Sequence, residues 1–168
     1  MSYIVVDVEA DGPCPGEYSM IILGAVLAQD PSISFYAKLH PISKQWKQEA
    51  LAVSGFTRTD TMSFDDPWKV MEDFEKWIQQ VKNPMFISDN NGFDWQFINY
   101  YFWRFLGRNP FGYSSTNLGS LYKGLVKDTW KNFKHLRKTK HTHNPVDDAR
   151  GNAEALREMH RMGLKINL

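Results

Sequence analysis

Residues 4–12, IVVDVEADG, constrain this chain more than any other stretch. Ile4, Val5, Val6 and Val8 make a short β-branched run that Gly12 and Pro13 stop, the pattern of a buried strand. Residues i and i+2 of a strand point to one face, so Asp7 and Glu9 project side by side from an element whose body is core. Two like charges held that close, and partly out of water, repel each other and lose hydration. A hard divalent cation removes both penalties, because such ions take oxygen ligands. The competing reading puts both acids beyond the sheet edge, where water alone suffices. The rest of the chain decides between them by supplying, or failing to supply, further ligands.

With 168 residues the chain can build one core of ordinary size, and a single domain over 1–168 is expected. Formal charge is +1, from 20 basic and 19 acidic residues, so bulk electrostatics selects no partner. The distribution says more. Lys123, Lys127, Lys131, Lys134, Arg137, Lys138 and Lys140 stand against a single acid, Asp128, across the segment 123–143. Such a run is either a solvated face or a guide for phosphates. Cys14 is the only cysteine, which excludes an internal disulfide and a cysteine-based zinc site. No apolar run approaches membrane-spanning length and no signal-peptide pattern opens the chain, so a cytoplasmic protein without membrane contact is expected.

Residues 20–28 and 32–40 read as second and third strands, with Gly24 marking a bulge or a close backbone approach. A short helix over 46–54 ends at Gly55, and Asp66-Pro67 caps and opens a long helix with an apolar stripe at Met71, Phe74, Ile78 and Val81. MFIS (85–88) is a fourth strand. The helix that follows, 93–106, is apolar nearly all round and is expected to be buried, whereas 107–117 reads as loop. The aromatic excess around 95–113 fits core packing or an interface between two copies, a homodimer, equally well. Asn144-Pro145 opens the last helix, which runs to about Met162. Three strands, a helix, a strand and more helices give an α/β protein, a mixed sheet with helices on both faces.

Further carboxylates occur where ligands are needed. Asp94 lies in the first turn of the helix after the fourth strand, and Asp147 and Asp148 lie in the first turn of the last helix. Acids there also complement the helix dipole, for about 0.3–1 kcal/mol each, with no metal involved. His143 stands just outside that helix, and with His141 it can form half of an adventitious metal site.

Taken in order, D-x-E on the first strand, N-x-x-F-D from Asn90 to Asp94, and H-x-x-x-x-D from His143 to Asp148 resemble the DnaQ-like (DEDDh) 3′–5′ exonucleases of the ribonuclease H-like fold. DVEADG resembles that family's first motif, DNNGFDWQFI its second and HNPVDDARGNAEAL its third, so the likeness covers nearly the whole chain. The resemblance implies two divalent ions, Mg2+ or Mn2+, held by Asp7, Glu9, Asp94 and Asp148, with His143 as general base. It implies hydrolysis of single-stranded nucleic acid from a free 3′ end to nucleoside 5′-monophosphates, with RNA slightly favoured over DNA. Ala10, Asp11, Gly12 and Phe93 would line the substrate site, with Ala10 and Gly12 letting the backbone approach the terminal sugar, Asp11 standing where the family often has a hydroxyl residue, and Phe93 either meeting a base or belonging to the core.

Two positions depart from the family pattern: Ile22 where many relatives carry glutamate, and Asp89 where a histidine often precedes the asparagine of the second motif. Neither is among the five catalytic positions. They leave the subfamily open, with ribonuclease AS-like enzymes one option. The alternatives are a catalytically silent nucleic-acid-binding module on the same fold and a DNA-specific, proofreading-type exonuclease.

Overall fold

The computed structural model describes residues 2–166. In chain order they form β1 (Ser2–Ala10), β2 (Met20–Leu27), β3 (Ser34–Lys38), α1 (Gln48–Val53), α2 (Arg58–Thr61), α3 (Pro67–Ile78), β4 (Pro84–Ser88), α4 (Asn91–Leu106), β5 (Ser115–Asn117), α5 (Leu118–Val126) and α6 (Pro145–Arg161). One sheet takes all five strands in the order β3-β2-β1-β4-β5. β1 is central, antiparallel to β2 and parallel to β4, and β4 is parallel to β5. The strand with the acidic end is therefore also the strand around which the sheet is assembled.

Strand alternation divides the core in two. Ile4, Val6 and Val8 pack with Phe74 of α3 and with Phe97, Tyr101 and Phe102 of α4. Val5 packs on the other face with Ile87, Leu118 of α5 and Ala149, Ala153 and Leu156 of α6. Asp7 and Glu9 share the parity of Val5, so they emerge beneath α6 rather than beneath α3 and α4.

The expected caps are present. Asp66 accepts the N–H groups of Trp68 and Lys69 with Pro67 in the first turn, and Asn144 accepts that of Val146 before Pro145 opens α6. Gly24 proves to be a close approach: a Cβ there would lie 2.4 Å from the Pro145 carbonyl carbon. Gly24 pairs with Asp7 across the β1–β2 ladder. The missing side chain thus lets the first turn of α6 settle on the sheet beside Asp7.

Three expectations change. The third strand is shorter than 32–40. Residues 115–117, read as loop, form β5, a strand of three residues that is too short to show a period. α4 is one-sided rather than buried all round: Phe97, Ile98, Tyr101 and Phe102 are inside, while Trp103 is 44% exposed and stacks on Tyr113 at the surface. Aromatic rings tolerate such half-exposed positions, so composition overstated the burial of α4. Core packing accounts for much of the aromatic excess. α2, not foreseen, is a single turn closed by a Thr57–Asp60 capping box.

Candidate active site

The parallel register of β1 and β4 runs only to Val5–Ile87. Beyond it β1 continues alone on that side, and the Val8 N–H needs another partner. Asp94, carried in by the first turn of α4, supplies one: its Oδ1 accepts that N–H at 3.2 Å. From the opposite face, α6 brings Asp148. Its Oδ1 accepts the Thr142 N–H at 3.0 Å and lies 2.9 Å from His141 Nδ1. The end of the central strand, the start of α4 and the start of α6 converge in this way, and they bring four carboxylates together.

Oxygen atoms of Asp7, Glu9 and Asp148 all lie within 4.8 Å of one another, and the charge of Asp94 acts on Asp7 beside them. Asp94 and Asp148 are buried, yet Oδ2 of each has no hydrogen-bond partner. Among the described residues no lysine or arginine forms an ion pair with any of the four. Burial, and then the charges of Asp94, Asp148 and Glu9, hold the Asp7 carboxyl well above the usual carboxylate range. Burial, and then Asp148, push Glu9 up to about 7. Burial raises Asp94 to about 7 despite the hydrogen bond from the Val8 N–H. Orphaned buried oxygens and an all-carboxylate donor set that no lysine or arginine pairs among the described residues fit hard divalent ions.

His143 sits at the mouth of this cluster, half exposed, with Nδ1 3.7 Å from Glu9 Oε1. Its φ is +61°, a left-handed conformation that costs a non-glycine residue energy and that surrounding contacts must hold in place. Asp148 provides part of that hold through Thr142 and His141, so the loop is tied to the first turn of α6. His141 itself, weighed in the sequence only as an adventitious ligand, directly contacts a buried carboxylate.

Of the expected substrate contacts, Ala10, Gly12 and Phe93 line one cavity of about 310 Å3 together with Glu9. Lys47 and Val53 of the α1 region complete its wall, and no sequence signal pointed to them. Gly12 has an internal reason to be glycine as well, since a Cβ would lie 2.1 Å from the Tyr18 ring. Asp11 is a correction. It is fully buried and turned away from the cavity; its carboxylate accepts the Ser19 N–H at 2.6 Å and pairs with Arg58 at 2.7 Å. Its side chain is committed to the fold.

The two departures have local partners. Ile22 lies opposite Glu9 on β2 and packs against Leu51 of α1. Asp89 pairs at 2.7 Å with Arg137, which also donates to Asn152 of α6. Arg137 is thus withdrawn from the basic run and fastens α6 to the end of β4.

The model of the RNase_T exonuclease family matches residues 4–156. The 3′–5′ DNA exonuclease Cap18 of Escherichia coli is 35% identical over 179 residues, covering 99% of this chain and 95% of its own. Among solved structures, a 3′-exonuclease that recognises a histone mRNA stem-loop superposes with a TM-score of 0.76 at 16% identity, over 99% of this chain and 65% of its own. Exonuclease I of E. coli, in a zinc-bound complex with single-stranded DNA, gives 0.72 at 14% identity, over 95% of this chain but 40% of its own. At those identities the likeness is one of fold, and this chain spans two fifths of the one and about two thirds of the other. Family match, full-length relative and fold agree with the motif order, and the chain belongs to the RNase_T exonucleases, the DnaQ-like 3′–5′ exonucleases of ribonuclease H-like fold.

Proposed function

We propose that the chain, acting as one catalytic domain, removes nucleoside 5′-monophosphates one at a time from the free 3′ end of single-stranded nucleic acid. Asp7, Glu9, Asp94 and Asp148 hold two Mg2+ or Mn2+ ions, and His143 is the general base. The observation that carries this reading is the Asp7, Glu9 and Asp148 trio, with buried and unpartnered oxygens on Asp148 and on the adjacent Asp94. Bound there, the ions would supply the Lewis acidity that activates water and stabilises the leaving 3′ oxygen.

The chain's own groups do the rest. The imidazole of His143, at the solvent edge of the cluster beside Glu9, is placed to take the proton of the attacking water. The cavity between Phe93 and Val53 receives the terminal nucleoside, with Ala10 and Gly12 admitting the sugar close to the backbone. Lys47 at its wall can meet the sugar or the phosphate. Upstream nucleotides run towards the basic segment, where Trp130, 95% exposed, offers a ring for base stacking among Lys127, Lys131 and Lys134.

The sequence leaned towards RNA. The resemblance to a DNA exonuclease along nearly the whole of both chains turns the proposal towards single-stranded DNA. The test digests 5′-labelled linear DNA and RNA strands of one sequence, and internally labelled circles of the same sequence, with Mg2+, Mn2+ or EDTA. Linear DNA should shorten from its 3′ end faster than RNA, circles should survive, and EDTA should stop the reaction. His143→Ala should slow it by about 10²–10⁴-fold. Internal cuts, digestion in EDTA or an unaffected His143→Ala enzyme would overturn the mechanism. Faster RNA shortening would restore the other sugar.

A further inference from the structure

His141, His143 and Asp148 form a second trio, beside the carboxylates but distinct in chemistry. One candidate ligand atom from each lies within 4.8 Å of the others. The two imidazoles meet edge to face with centroids 4.3 Å apart, and His141 Nδ1 is 2.9 Å from Asp148 Oδ1. Both histidines are about half exposed, whereas Asp148 is buried with Oδ2 lacking a hydrogen-bond partner. Two exposed imidazoles thus stand beside one buried carboxylate that keeps an oxygen without a hydrogen-bond partner.

We infer that this trio is a site for Zn2+ or a similar borderline metal, and that filling it switches the exonuclease off. Two imidazoles and one carboxylate with an open fourth position make a common zinc donor set. Mg2+ prefers oxygen ligands and is served by Asp7 and Glu9 instead, so the two trios sort metals by softness. The exposed imidazoles can adjust to a tetrahedral zinc by rotation about their side-chain bonds. The left-handed backbone at His143 already holds its ring next to that of His141. The inhibitory consequence rests on the proposed catalytic roles of His143 and Asp148: zinc would occupy the base and one acid at once. Binding itself does not depend on that reading.

The test uses the whole chain and two probes, Co2+ alone and Zn2+ alone. One equivalent of Co2+ should give the strong visible band of a four-coordinate, nitrogen-containing site, and Zn2+ should remove it. Asp7→Ala should keep the band because Asp7 is not a donor, whereas His141→Ala should lose it and bind Zn2+ at least about tenfold more weakly. His141→Ala also removes the contact with Asp148, so its metal-free melting curve should sit below the parent's, and zinc binding is compared at a temperature where both proteins are folded. In Mg2+-supported digestion, the zinc concentration that halves each protein's own rate should rise at least about tenfold in His141→Ala.

Zinc binding unchanged in His141→Ala would overturn the site, as would loss of the band in Asp7→Ala alone. Equal zinc sensitivity of the two enzymes would overturn the switch. A parent chain that digests nothing in Mg2+ while keeping the band would sink the exonuclease mechanism and leave the zinc site standing.

Discussion

Asp7 and Asp11 lie four residues apart at one end of the same strand, and protein surrounds both, yet their surroundings are opposite in kind. Asp11 has a backbone N–H on one oxygen and the Arg58 guanidinium on the other, and Arg58 is held in turn by the Ser43 carbonyl. Burial raises its pKa, while Ser19 and Arg58 pull it back. Glu75, gripped through both oxygens by Arg108, belongs to the same class. Among the described residues Asp7 has no such ion pair; its three acidic neighbours each raise its pKa, and only the weaker influence of Arg137, itself paired with Asp89, lowers it. A fold that satisfies two buried carboxylates and leaves an adjacent cluster without ion pairs gives that cluster the character the proposed metal site requires. Buried charge that is paired within the chain stabilises the fold, and buried charge that is not paired costs stability and is retained for chemistry.

Exchanging the charge at each position should separate the two classes most widely. Asp7→Asn should lower exonuclease activity by at least about a thousandfold, the scale seen when a reacting-centre residue is removed, and should raise the metal-free melting temperature by relieving repulsion. Asp11→Asn should do the reverse, retaining activity per folded molecule and melting lower. Shortening of a labelled strand and thermal melts in EDTA read both. An active Asp7→Asn enzyme would end the distinction.

Arg58→Ala tests the paired side. It strands a fully buried carboxylate, and breaking such a pair costs about 3–5 kcal/mol, to be read from denaturant unfolding. A loss below 1 kcal/mol, on the order of an exposed ion pair, would mean that water reaches Asp11. Gly24→Ala tests the packing that delivers Asp148. Its Cβ would meet the backbone of Pro145 and not a yielding side chain, so an overpacking cost of about 1–3 kcal/mol is expected. Activity should fall further than stability alone explains, because the first turn of α6 must move away from Asp7. Activity that tracks the folded fraction would show that Asp148 tolerates the shift.

The paired and unpaired classes could not be told apart in the sequence. D-x-E-x-D presents Asp7, Glu9 and Asp11 as equivalents, and the arginine that claims Asp11 arrives from 47 residues away. The strands, the capped helices and the approach at Gly24 were legible because each is written in local period, cap or glycine placement. The motif order pointed to Asp94 and Asp148 for the same reason, since both open helices. What was missed is tertiary or very short. β5 spans three residues, α2 is one turn, and Lys47 and Val53 reach the cavity only because α1 is tied to the end of β1 by the Lys47 N–H to Asp11 carbonyl bond. His141 was discounted because nothing local says that its ring touches Asp148.

The smallest expected effect is the dependence of stability on pH, and its sign follows from the unpaired class. Asp7, Glu9 and Asp94 are raised above their ordinary values in the folded, metal-free protein, Glu9 and Asp94 to about 7. Between about pH 4 and about pH 7 the folded chain therefore binds more protons than the unfolded one, and stability falls as pH rises through that window before levelling off. Surface carboxylates with lowered values, such as Asp60 and Glu154, act the other way, but only as pH falls into the ordinary carboxylate range. Melting in EDTA should accordingly drop from about pH 5 to about pH 8. Mg2+ or Mn2+ should restore most of it at the upper end by binding the ionised cluster. Asp7→Asn should flatten the profile, whereas Arg58→Ala should lower it without flattening it. A metal-free profile that stays level, or rises, over this range would mean that the four carboxylates are already compensated inside the fold, and the case for cations would go with it.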